Sequence, residues 1–143
     1  MGTPRLKDII VTPLEKIPTF GGEVMRALKA SDNGFYGFGE AYFSWIEMGA
    51  IKAWKCHKLM TLNLVVPVGE VRFVFNLPER NAEFLVEDIG EMRYARLTVP
   101  PGIWFGFKGK FSGSSLLGNF ADIVHDQDEV LRRPESDIPY DWS

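Results

Sequence analysis

At 143 residues, with 45% hydrophobic and 24% charged side chains, the chain has the length of one domain and enough apolar material for a substantial core. Its formal net charge of −3, with acidic and basic residues mixed along the chain, excludes the concentrated basic face of a nucleic-acid binder. The longest apolar run, LNLVVPV at 62–68, is too short to span a bilayer, and the single cysteine, Cys56, excludes an internal disulfide and a multi-cysteine zinc site.

The opening MGTPRLKDII has no signal-peptide apolar region, because Lys7 and Asp8 interrupt it, and lacks the Ser or Thr of a myristoylation signal. A cytoplasmic protein with no membrane and no nucleic-acid partner is expected. Turn residues then recur at Gly21-Gly22, Asp32-Asn33-Gly34, Gly49, Gly69, Pro78, Gly90, Pro100-Pro101-Gly102 and 109–113. The short runs between them, rich in Val, Ile, Phe, Trp and Tyr, predict an all-β sandwich or barrel. An edge strand is expected over 9–13. The clearest strands follow at 41–48, 51–57, 61–68, 70–76, 92–99, 103–109 and 115–122. Alternation assigns faces: Val71, Phe73 and Phe75 share one, and Glu70, Arg72 and Asn76 the other. Only 126–133 (DQDEVLRR), acidic first and basic last, has the charge order of a short helix. The tail from Pro134 to Ser143 reads as a strap across the barrel, anchored by Ile138, Tyr140 and Trp142.

One constellation carries chemical information. Metal-binding cupins follow Gly, five residues, His-x-His, three or four residues, Glu, six residues, Gly; here Gly49, Lys55-Cys56-His57, Leu62 and Gly69 keep that spacing. The second cupin motif, Pro-x-Gly-x-x-His, reads Pro100-Pro101-Gly102-Ile103-Trp104-Phe105. The glycines serve backbone corners that need positive φ. The ligand positions instead hold Lys55, Leu62 and Phe105 beside His57, and a catalytic metal generally needs about three protein ligands. The expected fold is therefore a single all-β domain, 1–143: a cupin (double-stranded β-helix, or jelly-roll) barrel with a short C-terminal helix and tail. The metal site is discarded.

Most of the chain, from Val11 to Trp142, resembles the dTDP-4-dehydrorhamnose 3,5-epimerase family. The similarity runs through FGEAYFSWIEMGAIKAWKCHKLMTLNLVVPVGEVRFVF, LTVPPGIWFGFKG, FADIVHDQDE and IPYDW. The resemblance implies a homodimeric, metal-free enzyme without a cofactor, acting on a nucleotide-linked 4-keto sugar in deoxysugar biosynthesis. It makes His57 the general base. It also puts Phe105 where the family has a second histidine, Leu62 near the place of its enolate-steadying lysine, and Asp122-Ile123-Val124 near that of its tyrosine acid. The family's base-orienting aspartate falls late, in a region this chain lacks or has replaced. The chain is also similar to the nucleotide-sugar 3,4-ketoisomerases, whose paired-histidine strand aligns with Lys55 and His57 and whose tyrosine-rich strand places a tyrosine at Tyr42.

Removing a proton next to a ketone requires a base of near-neutral pKa and a group to hold the enolate oxygen. Alternation puts Lys55 and His57 on one strand face, so Lys55 can hold the oxygen and keep His57 neutral through its charge. Glu40, Tyr42 and Ser44 share a face of the preceding strand, with Tyr42 the candidate reprotonating acid. Asn63 and Asn119 are candidate sugar partners, Trp104 or Phe105 candidate stacking surfaces, and Arg26 or Lys108 candidate diphosphate contacts. Against these stand plainer roles. Tyr42 suits a core or dimer interface equally, the tryptophans are by default core or interface, Cys56 is a small buried hydrophobe facing away from His57, and His125 is a surface residue. Three activities stay open: 3,5-epimerase, 3,4-ketoisomerase, and a catalytically silent sugar-binding or scaffold cupin. The direction of His57, and whether an acid faces it across a cavity, separates enzyme from scaffold.

Overall fold

Strand alternation sets which side chains the chain buries, and the computed structural model, which describes residues 3–79 and 83–143, shows twelve strands among them. They are β1 (Ile10–Pro13), β2 (Lys16–Thr19), β3 (Gly22–Met25), β4 (Glu40–Ile46), β5 (Ile51–His57) and β6 (Leu62–Val68). After these come β7 (Glu70–Asn76), β8 (Phe84–Gly90), β9 (Ala95–Val99), β10 (Trp104–Gly109), β11 (Ser115–Ala121) and β12 (Val130–Arg132). One sheet has the order β1-β9-β6-β11-β4 and faces a second of order β12-β5-β10-β7-β8, while β2 and β3 form a separate hairpin. Every strand pair is antiparallel, the cupin arrangement.

Val71, Phe73 and Phe75 all point into the space between the sheets, where they join Leu64, Val66, Leu97, Phe105 and Phe107. Val74 points the opposite way, into a second apolar cluster with Trp54, Cys56, Trp104, Ile138 and Trp142. That outer cluster is the underside of the tail. The Trp54 indole donates to the Glu135 carbonyl at 3.0 Å, and Lys108 Nζ donates to the Trp142 carbonyl at 2.6 Å. The tail is thus a strap held by Ile138, Tyr140 and Trp142, and Lys108 is spent on it rather than on a diphosphate.

The three motif glycines adopt positive φ: Gly49 at 77°, Gly69 at 86° and Gly102 at 91°. Gly69 alone links β6 to β7, and a Cβ there would sit 2.2 Å from Ser115 Oγ. Two expectations need correction. The helix expected over 126–133 is a single 3-10 turn, Gln127–Glu129, followed by β12, which pairs Val130, Leu131 and Arg132 with His57, Cys56 and Lys55. Eight residues form a marginal helix, whereas pairing with the open edge of β5 satisfies their backbone groups. The strand expected from 92 starts at Ala95, and β8 went unforeseen.

A register shift on β5 matters for the site. Phe105 lies opposite Lys55 but Gly106 opposite Ala53, so Trp54 is an extra residue on that strand. Ile51 and Ala53 pack against the same outer cluster as Trp54 and Cys56. The bulge therefore switches the parity of the strand, and it is the residues after it, Lys55 and His57, that turn inward.

Candidate active site

His57 is the last residue of β5, and Tyr42 on β4 faces it from the opposite sheet. Between them lies a narrow cavity of about 60 Å³ lined by Tyr42, Ser44, Lys55, His57, Phe105 and Asn119, with Leu62, Leu64, Phe107 and Leu117 as its apolar walls. Tyr42, Lys55 and His57 also line an adjoining chamber of about 300 Å³, whose rim Glu40, His125, Val130 and Arg132 complete. The four positions that the cupin motifs assign to metal ligands, Lys55, His57, Leu62 and Phe105, all line this one cavity. They supply one imidazole, one ammonium and two hydrocarbons, a donor set that does not fit a metal. Among the described residues no group of three His, Cys, Asp or Glu side chains is placed to hold one.

His57 is only 6% exposed, and its ring lies parallel to that of Phe105 with centroids 6.1 Å apart. Its Nδ1 is hydrogen-bonded to Glu129 Oε1. The other carboxylate oxygen, Oε2, accepts from the backbone N–H groups of Leu59 at 3.0 Å and Met60 at 3.1 Å. Glu129 sits on the 3-10 turn just before β12, and strand pairing carries it to the end of β5. Its burial favours the neutral acid, but the bonds from His57, Leu59 and Met60 prevail and hold its pKa below the usual carboxylate range. An ionised Glu129 accepts a hydrogen bond from the Nδ1–H of a neutral imidazole, which leaves the Nε2 lone pair as the free base. Burial pushes the pKa of His57 below its ordinary 6.5 despite the opposing pull of Glu129, and the Lys55 charge adds to the lowering.

Across the cavity, burial raises the pKa of Tyr42, so its hydroxyl keeps its proton. Burial, then the neighbouring charges of Arg132 and Lys52, lowers that of Lys55. Cys56 faces away from the cavity, and burial pushes its thiol up to about 11.

Of the candidate residues, Tyr42, Ser44, Lys55, His57, Phe105 and Asn119 meet in the cavity and Glu40 stands at its mouth. Three do not. Asn63 is consumed in the sheet: its Nδ2 donates to the Gly34 carbonyl at 3.1 Å and its Oδ1 accepts from Thr98 Oγ1 at 2.6 Å. Trp104 faces the outer cluster, with the Arg133 guanidinium 4.5 Å from its ring centroid. Arg26 lies in a separate small cleft, 3.6 Å from Glu15. Glu129 and Arg132 were not anticipated, because no local motif marks them. The strand pairing of 130–132 with β5 would have found both. A larger cleft of about 620 Å³, between Arg5–Lys7 and the start of β8, holds none of the residues that converge on His57.

No protein-family model and no curated protein matches the chain, whereas solved structures do. A dTDP sugar isomerase from Desulfovibrio desulfuricans G20 superposes with a TM-score of 0.87 at 34% sequence identity, over 94% of this chain and 90% of that one. The chain belongs to the dTDP-sugar isomerase family. Membership makes it an isomerase-type enzyme with a cupin barrel, as the motif spacing and the resemblance implied. Two more distant structures share the fold of this isomerase family. The sugar 3,4-ketoisomerase of Thermoanaerobacterium thermosaccharolyticum, solved with TDP, matches at TM-score 0.76 and 16% identity over 94% of each chain. The 3,5-epimerase of Legionella pneumophila Philadelphia 1, solved with dTDP-4-keto-L-rhamnose, matches at 0.76 and 11%, over 93% of this chain and 76% of that one.

Proposed function

We propose that this isomerase abstracts the proton next to the 4-ketone of a nucleotide-linked deoxysugar, as a dTDP-4-dehydrorhamnose 3,5-epimerase does. The observation that carries this reading is the pairing across one cavity of a buried, carboxylate-bound imidazole, His57, and a protonated phenol, Tyr42, with the Lys55 ammonium on the wall beside the base. In this reading His57 Nε2 removes the proton on the carbon next to the ketone. The C–H electron pair moves into the ring and the ketone oxygen becomes an enolate, which Lys55 Nζ stabilises. The carbon then takes the Tyr42 proton from the opposite face, the carbonyl re-forms, the His57 imidazolium releases its proton to solvent, and the phenolate recovers one from solvent. The rim residues Arg132 and Lys55 bring positive charge to the chamber where a diphosphate would lie, with Glu40 on the same rim.

A second reading, the 3,4-ketoisomerase, is favoured by one observation: the ketoisomerase of similar length aligns over 94% of both chains, whereas the epimerase extends well beyond this one. Both begin by removing a proton next to a ketone. Deuterium exchange from solvent into dTDP-4-keto-6-deoxyglucose, followed by NMR, tests the shared step. Incorporation at carbon 3 or 5 is expected, and the product distinguishes the two isomerisations. Binding of the sugar nucleotide without any exchange would favour the silent cupin instead. In the same reading the enzyme works as a homodimer.

A further inference from the structure

Resting on that reading, we propose that Asn119 is a positioning residue that fixes the direction in which Tyr42 gives its proton. Asn119 lies on β11 directly opposite Tyr42 on β4, and is 4% exposed. Its side-chain oxygen accepts from the backbone N–H of Asn63 at 3.1 Å, a donor that cannot reverse. The amide is therefore unable to flip, since the flip would set NH2 against N–H. Its nitrogen must face Tyr42, and it donates to the phenol oxygen at 2.9 Å, with Met60 Sδ near the same nitrogen at 3.8 Å. A hydroxyl that accepts from Asn119 has its own O–H free to point elsewhere, and Tyr42 borders the cavity that His57 lines. The Asn63 backbone, the Asn119 amide and the Tyr42 phenol form one directional chain of donors ending at the reacting carbon. Asn63 thus serves the site through its main chain, while its side chain serves the sheet.

Aspartate at 119 keeps the shape and reverses the chain. Both carboxylate oxygens accept, one from Asn63 N–H and the other from the Tyr42 O–H, so the phenol proton turns away from the sugar. The measurement is the ratio of isomerised product formed to deuterium exchanged at the same carbon. That ratio does not depend on how much of the protein is folded, which separates positioning from simple loss of structure. Asn119→Asp should lower it by roughly 10²-fold, the scale of a lost general acid, while exchange through His57 continues. Asn119→Ala, which removes the bond without reversing it, should lower it by less, and serves alone should the aspartate variant fail to fold. In a Tyr42→Phe background neither substitution should change the ratio further. An unchanged ratio in Asn119→Ala, or a further loss in the Tyr42→Phe background, would overturn the assignment to Asn119. A wild-type protein without exchange would sink the isomerase reading itself, so the two failures are distinct.

Discussion

Glu129 meets two backbone N–H groups with one oxygen and His57 with the other, and that division of labour dictates what its amide would do. In Glu129→Gln the N–H groups of Leu59 and Met60 claim the carbonyl oxygen. The NH2 then faces Nδ1 and forces the imidazole proton onto Nε2, where the lone pair is needed. Exchange at the sugar should fall by about 10²–10⁴-fold with little change in KM, the signature of a mis-set base rather than a lost binding contact. His57→Asn should fold and lose exchange on the same scale, because Asn is polar, smaller and no base. The pH profile follows from the same residues. The base form of His57 is required, and burial sets its pKa below 6.5, so kcat/KM should hold at neutral pH and fall only as the pH drops below that value. Removing the Lys55 charge relieves one of the lowering influences. Lys55→Met should therefore move the acid limb to higher pH while reducing the rate.

At the level of single elements, the β6–β7 corner depends on Gly69. An alanine there needs φ near 86° and places its Cβ against Ser115. Gly69→Ala should cost about 2 kcal/mol in thermal or urea unfolding, the usual penalty for a strained left-handed residue. Corners of this kind are why β5, β6 and β7 were legible in the sequence: a glycine bounds each, β6 is a nearly continuous apolar run, and β7 alternates with a period of two. β8 was not, because FLVEDIG carries Glu87 and Asp88 in its middle and masks the alternation. The site divides likewise. Motif register located Lys55, His57 and Phe105, but Glu129 lies 72 residues from its histidine, and only tertiary pairing of β12 connects them. Trp104 and Phe105, as neighbours on a strand, had to face opposite ways; the structure shows that Phe105 is the inward one.

Over the whole molecule, the outer face of β4 remains apolar and open. Phe43 and Trp45 are each 59% exposed on the last strand of its sheet, with Tyr36 and Phe38 exposed on the segment leading into it. An apolar edge strand of this kind is normally covered, and a second copy of the chain is the cover in the homodimer reading. Sedimentation at micromolar concentration should give the mass of a dimer, and Trp45→Glu should shift it toward monomer. A stable wild-type monomer would refute the assembly. The tail closes the opposite sheet, and its position has an optical consequence. Trp54 and Trp104 are buried beneath it and Trp142 is its own buried anchor, with the Trp54 and Trp142 rings 5.5 Å apart, and none of them lines the cavity. Trp45, exposed on β4, also lies outside the cavity, so the buried, blue-shifted part of the tryptophan emission is a gauge of the strap and not of the active site. Sugar nucleotide filling the cavity should leave the spectrum nearly unchanged, while loosening the strap with Trp142→Ala should wet Trp54 and shift the emission to the red.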